Sequence, residues 1–356
     1  MEVPAISVRG NPAAVRSAWH ALREQGPVRN RDAAASLGVS EAELIASECD
    51  GDRVVRLAGD YRELIKRAPQ LGRVMALTRN ESCVHERVGA YEDVSVSGWM
   101  GLVLGADIDL RIFYRHWKLG YAVREETKDG SRYSLQFYDA SGAAVHKIYL
   151  KPESNVAAWQ ALAADFKSLR QTPGDTVEPR ASAPAERPDA EIDQAGLRKA
   201  WAAMTDTHEF FGLLKKYKVS RTQALRLAEP QFACPLLITT PRRLLEAVAE
   251  SKLPIMIFVG NPGNIQIHTG PVTNIKVMGP WLNVLDPDFN LHLREDHIHD
   301  IWMVRKPTSD GIVTSVELFD KSGENIALIF GKRKPGIPES EAWRATVAGL
   351  NAAVKP

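Results

Sequence analysis

"SLQFYDASGAAVHKIY", Ser134–Tyr149, returns 181 positions later as "SVELFDKSGENIALIF", Ser315–Phe330. The same step carries "TRNESCVHERVG" onto "VGNPGNIQIHTG", with Asn80 on Asn261 and Gly89 on Gly270. It sets "ADIDLRIF" on "PDFNLHLR" and "YAVREETKDG" on "WMVRKPTSDG". One offset holds from Asn80 to Tyr149 without a gap, which chance does not produce, so the chain is a tandem duplication. Inside each copy apolar residues alternate: Ile108, Leu110 and Ile112 fall on one strand face, Asp109, Arg111 and Phe113 on the other. "DASG" and "DKSG", with Gly142 and Gly323, read as hairpin turns. Helices come first, marked by Trp19 and Trp201, and a closing helix carries Trp159 or Trp343. The expected fold is α+β: two units, each an antiparallel β-sheet meander flanked by helices.

Working outward, the boundaries follow from composition. Gln171–Asp193 holds four prolines and almost no large apolar residues, which is linker composition. The reading is a first repeat over 1–170, a linker over 171–193 and a second repeat over 194–356. The chain carries 45 basic and 44 acidic side chains. Duplex DNA binding usually demands a clear basic excess, because phosphate neutralisation supplies much of the affinity. Cys49, Cys83 and Cys234 lie far apart, so neither a disulfide framework nor a zinc site is indicated. No run reaches the ~18 apolar residues of a membrane span, and the N-terminus lacks an apolar core of signal-peptide length. A reducing cytoplasm is expected. There is no glycine-rich phosphate loop and no flavin or nicotinamide signature.

"DAAASLGVSEAELIAS", Asp32–Ser47, has the look of a DNA-reading helix-turn-helix. It aligns, however, with "GLLKKYKVSRTQALRL", 212–227, placing Ser40 on Ser220. The duplicated scaffold therefore explains it, and a nucleic-acid partner is not expected.

Among nine histidines, His208 stands out, in "MTDTHEFFGLLKKY". Thr205 or Asp206 is placed to cap a helix with His208 in its first turn. A helix N-terminus disfavours positive charge there, leaving the lone pair a metal needs. Gly212 follows four residues later on the same face, and Phe210 and Phe211 flank the site. A mid-helix glycine costs about 1 kcal/mol against alanine, and here it leaves bare backbone, room for something flat. The alternative is a capped core histidine with a tolerated glycine. His20 reads as a helix-surface residue, and His146 and His268 as surface or sheet residues. His297 and His299 in "REDHIHD" fall in a turn entering a helix, where they point apart. Arg221, Lys306 and Arg333 taken singly are surface charges, and Arg111 is an ion-pair partner for Asp109.

These stretches resemble a family. "MTDTHEFFGLLKKYKVSRTQALRL", "IFVGNPGNIQIHTG", "GPWLNVLDPDFNLHL" and "RKPTSDGIVTSVELFD", with "TRNESCVHERVG" and "DLRIF" in the first half, are similar to the cytoplasmic hemin-utilisation proteins of Gram-negative bacteria, the HemS/ChuS type or hemin-degrading factors. The resemblance spans nearly all of the chain outside the linker, and it implies haem b as ligand or substrate. It makes His208 the axial ligand of the haem iron and Arg111 the cation over the opposite face, with a tentative catalytic role. It makes Arg221, Lys306 and Arg333 the propionate-binding cluster, and it puts Phe113 and Phe330 in the pocket. Haem carries two carboxylates that need cations and an iron that needs an imidazole, so the set is chemically coherent. One haem per chain is expected, clamped between the second unit's helix and Arg111 of the first. The first copy has Val28 near the place of His208 and Glu125 in place of Lys306, so it lacks this equipment.

Leu328 and Phe330 stand where relatives of this type place a glutamine and a tyrosine. The loss of those polar groups tilts the expectation toward a haem carrier, which implies a haem importer or a haem oxygenase as transfer partner. The competing expectation is a haem-degrading enzyme that opens the macrocycle and releases iron, with electrons from an external donor. A DNA-binding regulator is the remote third.

Overall fold

The repeated hairpins form as the sequence implies. In a computed structural model describing residues 9–128, 130–180, 185–334 and 336–351, both turns are built alike. Asp139 Oδ1 accepts the Ser141 and Ala143 amides at 2.8 and 3.0 Å, and Asp320 Oδ1 accepts those of Ser322 and Glu324 at 2.8 and 3.0 Å. Gly142 and Gly323 take φ of 78° and 80°, the left-handed conformation that glycine adopts without strain. Even the irregularity is copied: the register shifts between Phe137 and Tyr138, and between Leu318 and Phe319.

The first half runs α1 (Pro12–Glu24), α2 (Asn30–Leu37), α3 (Glu41–Ala46), β1 (Val54–Leu57), α4 (Tyr61–Lys66), β2 (Val74–Arg79), β3 (Cys83–Gly89), β4 (Val94–Ser97), β5 (Met100–Leu104), β6 (Asp109–Phe113), β7 (Leu119–Thr127), β8 (Gly130–Tyr138), β9 (Ala144–Leu150) and α5 (Val156–Asp165). The second runs α6 (Gln194–Ala202), α7 (Glu209–Tyr217), α8 (Arg221–Leu227), β10 (Ala233–Pro235), α9 (Thr240–Ser251), β11 (Ile255–Asn261), β12 (Asn264–Gly270), β13 (Ile275–Met278), β14 (Trp281–Leu285), β15 (Phe289–Arg294), β16 (Asp300–Thr308), β17 (Gly311–Phe319), β18 (Asn325–Gly331) and α10 (Glu341–Asn351).

The chain divides into two compact units, and neither is one uninterrupted half. The first comprises Met1–Arg79, Glu86–Ala181 and Asn261–Gln266; the second comprises Asn80–His85, Ser182–Gly260 and Ile267–Pro356. Each unit thus takes in the tip of the other half's β-hairpin. In the first unit β1, β7, β8, β9 and β2 pair antiparallel in that order, as do β4, β5 and β6. In the second, β10, β16, β17, β18 and β11 do the same, as do β13, β14 and β15.

The repeated asparagines hold the exchanged tips. Asn261 Nδ2 donates to the Arg79 and Val145 carbonyls, at 2.9 Å each, in the first unit. Asn80 Nδ2 donates to the Gly260 and Ile326 carbonyls, at 3.1 and 2.8 Å, in the second. Each acceptor pair matches the other at the 181-residue step. Asn264 and Gln266 enter a buried polar network of the first unit: Thr78 Oγ1 donates to Gln266 at 2.8 Å, and Asn264 Nδ2 donates to Thr78 at 2.7 Å. His146 sits in this network against Tyr91 Oη, 2.6 Å away, and burial pulls its pKa down to about 3. His146 and His268 are therefore sheet residues that are buried, not surface ones, at 1% and 3% exposure.

Trp159 and Trp343 close their units alike, donating Nε1–H to the Ser134 and Thr314 carbonyls at 3.0 Å each. The expected linker is partly anchored. Buried Arg56 donates to the carbonyls of Arg170, Thr172 and Gly174 and pairs with Asp175 at 3.1 Å. "REDHIHD" leads through a 3-10 turn, Glu295–His297, into strand β16, not into a helix as read from sequence: after Ile298 the alternation Ile301, Met303 is strand-like and buried. Among the described residues no helix is long and apolar enough to cross a membrane.

Candidate functional site

Both helix pairs end their first helix in the left-handed conformation, at Gly38 and Lys218, and both second helices are capped by serine: Ser40 Oγ accepts the Glu43 amide at 3.2 Å, and Ser220 Oγ accepts the Gln223 amide at 2.9 Å. The scaffold is common; the residues it presents differ. His208 is the N-cap of α7, one position earlier than its expected place in the first turn, because Thr205–Thr207 form a turn closed by side chains. Asp206 Oδ1 accepts the His208 amide at 2.8 Å, and Thr205 Oγ1 donates to Glu209 at 2.8 Å. The imidazole is 94% exposed, with its Nδ1 2.6 Å from Asp206 Oδ1. Held this way, the ring presents Nε2 outward, the arrangement in which a carboxylate fixes a metal-ligating histidine.

Next to it the backbone is bare. A side chain built at Gly212 would meet nothing within 4 Å, so the glycine is not there to relieve crowding. Phe211 is exposed and Phe210 is buried against Trp201, ring centroids 4.7 Å apart. Asp206 is held below the usual carboxylate range, chiefly by the hydrogen bonds from His208, with a smaller contribution from the charge of Arg333. Arg333 pairs with Asp310 at 3.1 Å, and its Nε–H is buried without an acceptor. The Asp310 hairpin docks on the same turn, Ser309 N–H donating to the Thr205 carbonyl at 2.8 Å. His208, Asp206, Arg333 and Asp310 therefore form one neighbourhood.

Arg221 and Lys306 form another, around a residue that the sequence reading missed. Glu317, fully buried on β17, accepts two bonds from Arg221, at 2.7 and 2.8 Å, and one from Lys306 at 2.8 Å. Ser315 Oγ adds a third partner at 3.0 Å. Burial pushes the Glu317 carboxyl up, but Arg221 and Lys306 together hold it far below its ordinary value. Burial lowers Lys306 to about 8, with Glu317 opposing and Arg221 assisting. Phe210 lies against both cations, its centroid 4.7 Å from Lys306 Nζ and 5.1 Å from the Arg221 guanidinium carbon. Two cations share one carboxylate, so the cluster keeps a net positive charge, and Arg221 keeps 27% of its side chain exposed. A charged residue between Val316 and Leu318 was the available signal. Its partners became visible only through strand register.

Phe330, half-buried on β18, meets Phe258 edge-on at 5.1 Å, and Leu328 pairs in register with both Phe258 and Glu317. Phe258, Leu328 and Phe330 make a small apolar patch beside the polar Ser315 and Glu317 of the next strand. Arg111 and Phe113 belong to the first unit, both half-buried on β6. Arg111 pairs with Asp109 and also donates to the Leu110 carbonyl at 3.2 Å. The first unit also reverses the charges of the buried cluster. Glu41 occupies the place of Arg221 on the helix and accepts from Lys147 and Arg79, while Gln136 stands where Glu317 does. Glu125 instead pairs with Arg132 near the surface.

The residues present fit a haem. Among the described residues no group of three or more His, Cys, Asp and Glu is placed to hold a metal ion, so His208 is a single donor. A single donor suits an iron that brings four ring nitrogens with it. Bare helix backbone, a small apolar patch and a cationic cluster supply the remaining complements.

The profile of the family described as "Haemin-degrading HemS.ChuX domain" matches twice, over residues 38–166 and 218–350. The chain belongs to this HemS family. The hemin transport protein HmuS of Yersinia pestis is 40% identical over 321 residues, 90% of this chain and 92% of that one. Holo-PhuS, a heme-binding protein from Pseudomonas aeruginosa, superposes with TM-score 0.93 at 50% identity, covering 96% of this chain and 99% of its own. ChuS, described as an E. coli heme oxygenase, superposes at 0.84 with 36% identity, covering 94% and 99%. The expected antiparallel α+β duplication is thus the family's fold, and the two matched segments are its two copies.

Proposed function

We propose that this chain is a haem-binding protein of haem uptake and iron utilisation, holding one haem and delivering it for use or degradation. The observation that carries this reading is His208: an exposed imidazole, fixed through Nδ1 by Asp206, at the end of a helix whose next turn is bare at Gly212. His208 ligates the iron through Nε2. The cations of Arg221, Lys306 and Arg333 attract the propionates, Phe330 offers apolar surface to the macrocycle, and Arg111 with Phe113 is assigned to the opposite face. The protein acts in the cytoplasm, with a haem importer or a haem oxygenase as transfer partner. Titrating hemin into wild type and His208→Ala tests the ligand: an unchanged Soret band and affinity in the variant refute it. Arg111→Ala should alter the spectrum or the oxidation rate of bound haem, and no change removes Arg111 from the site.

The second reading is degradation. It is favoured by the family's description as haemin-degrading and by the heme oxygenase activity named for ChuS. Bound haem would supply the redox-active iron, and Arg111 the distal cation. Leu328 and Phe330 leave that part of the strand without side-chain hydrogen-bond donors, which favours the carrier. Adding ascorbate or a reductase to the loaded protein with catalase present separates the two. A tetrapyrrole product formed without free peroxide supports the enzyme; bleaching that catalase abolishes supports the carrier.

A further inference from the structure

We propose that the first unit carries a second ligand site, for a small planar aromatic carboxylate, in a cavity of about 530 Å³. That volume lies within the usual range of small-molecule pockets. Its walls include Tyr61, Trp99, Tyr114 and Trp117, with Arg62 and Lys118 among its cations. Two glycines make room for the rings. A Cβ at Gly101 would lie 2.7 Å from the Tyr114 ring, and one at Gly120 would lie 2.8 Å from Tyr61 Oη. No side chain fits at either position while the tyrosines stay where they are.

Two observations point to an occupant, an aromatic wall held in place and an unbalanced charge. Tyr114 is 4% exposed and its hydroxyl is sealed from solvent beside Gly101, so it is the ring that lines the cavity. Trp99 is 50% exposed yet fixed, because the Arg62 guanidinium stacks 4.7 Å from its ring while bonding Asp60 and the Gly98 carbonyl. The charged lining also does not cancel. Arg56 is paired with Asp175, and Arg62 with Asp60, which leaves Lys118 as the uncommitted charge. An aromatic body against the rings and a carboxylate on Lys118 satisfy both.

The second copy carries the control. The 181-residue step replaces Gly101 by Leu282, Tyr114 by Glu295, Trp117 by Ile298, Lys118 by His299 and Gly120 by Ile301. Leu282, Ile298 and Ile301 are buried in that unit's core. The aromatic cavity is thus a property of the copy that lacks a counterpart of His208, and not of the shared scaffold.

The test uses 2-naphthoate as probe, titrated into the full-length, hemin-free chain and followed by tryptophan fluorescence and calorimetry. Saturable one-to-one binding is expected. Lys118→Glu, at an exposed position that should not disturb folding, lowers affinity at least about tenfold, and 2-naphthamide binds wild type correspondingly more weakly. His208→Ala leaves binding unchanged. Absence of saturable binding overturns the proposal. So does binding that survives Lys118→Glu, or binding that His208→Ala abolishes, which would place the probe at the haem site.

Discussion

Replacing Glu317 by glutamine should make the protein less stable and its hold on haem tighter. At the 2.8 Å separation of Lys306 Nζ and Glu317 Oε1, an effective dielectric constant near 20 gives about 6 kcal/mol of attraction for that pair alone. Burying the charges offsets much of this, and the net cost of removing one partner of a buried ion pair is about 3–5 kcal/mol. Glutamine keeps the volume and one acceptor oxygen, so the low end, about 3 kcal/mol, is expected. Spread over units of this size, that lowers Tm by roughly 6–12 °C. The pH dependence identifies the cause. Lys306 sits at about 8 in the folded protein, below its ordinary value of 10.5. The unfolded chain binds that proton more tightly, so stability rises with pH through this window. Without Glu317 to support the ammonium, the folded pKa falls further and the recovery begins at lower pH. The Tm deficit of Glu317→Gln should therefore be largest near about pH 6 and shrink by about pH 9. In the same variant, at about pH 6 where Lys306 keeps its proton, Arg221 and Lys306 lose their internal partner, and hemin affinity should rise about tenfold if they are the propionate cradle. Differential scanning fluorimetry across pH and a hemin titration read both effects. A deficit below about 1 kcal/mol, or one independent of pH, refutes the electrostatic account. Unchanged hemin affinity refutes the cradle.

Three further outcomes follow from the same geometry. Asp206→Asn removes the carboxylate that fixes the His208 ring and should weaken hemin binding by about 10–100-fold without altering stability by more than about 1 kcal/mol, as read by Soret titration and thermal melts. Gly212→Ala should stabilise the hemin-free protein by about 1 kcal/mol, since the new methyl meets nothing, yet weaken hemin binding if the macrocycle lies against that backbone. His146, buried and held at about 3 against an ordinary 6.5, takes up its proton in the unfolded chain first. Stability should therefore fall as pH drops through that interval, and His146→Gln should flatten that part of a urea-denaturation profile against pH.

The sequence displayed whatever is local or periodic. The two hairpin turns, the serine-capped helix pairs and the alternating strands were legible because a few neighbouring residues determine each. The place of His208 at a helix start was legible to within one position from the capping residues before it, whereas its part in haem binding is proposed from the family resemblance. Glu317 was not. Its meaning depends on β16 and β17 lying in register and on Arg221 arriving from a separate helix, which no spacing in the chain reports. The reversal of charge at Glu41, Lys147 and Arg79 was hidden for the same reason, although the alignment of Ser40 with Ser220 had already placed Glu41 opposite Arg221. His146 looked like an alternating strand residue because burial is decided by what covers a strand, and there the cover includes Asn264 and Gln266, more than a hundred residues away in sequence.

The hairpin tips held by Asn80 and Asn261 make the duplication hard to undo. A gene cut at the linker would yield two fragments, each missing six residues of its unit and each carrying six that belong elsewhere. In the second fragment the missing tip would leave the Ile326 carbonyl, and in the first the Val145 carbonyl, without its asparagine donor. A solitary half has a ready substitute, since another copy of itself carries an asparagine at the equivalent step. Fragments of this chain should therefore pair with each other, or with their own kind, sooner than persist alone. The fused gene turns that pairing from an encounter that depends on concentration into a property of a single molecule.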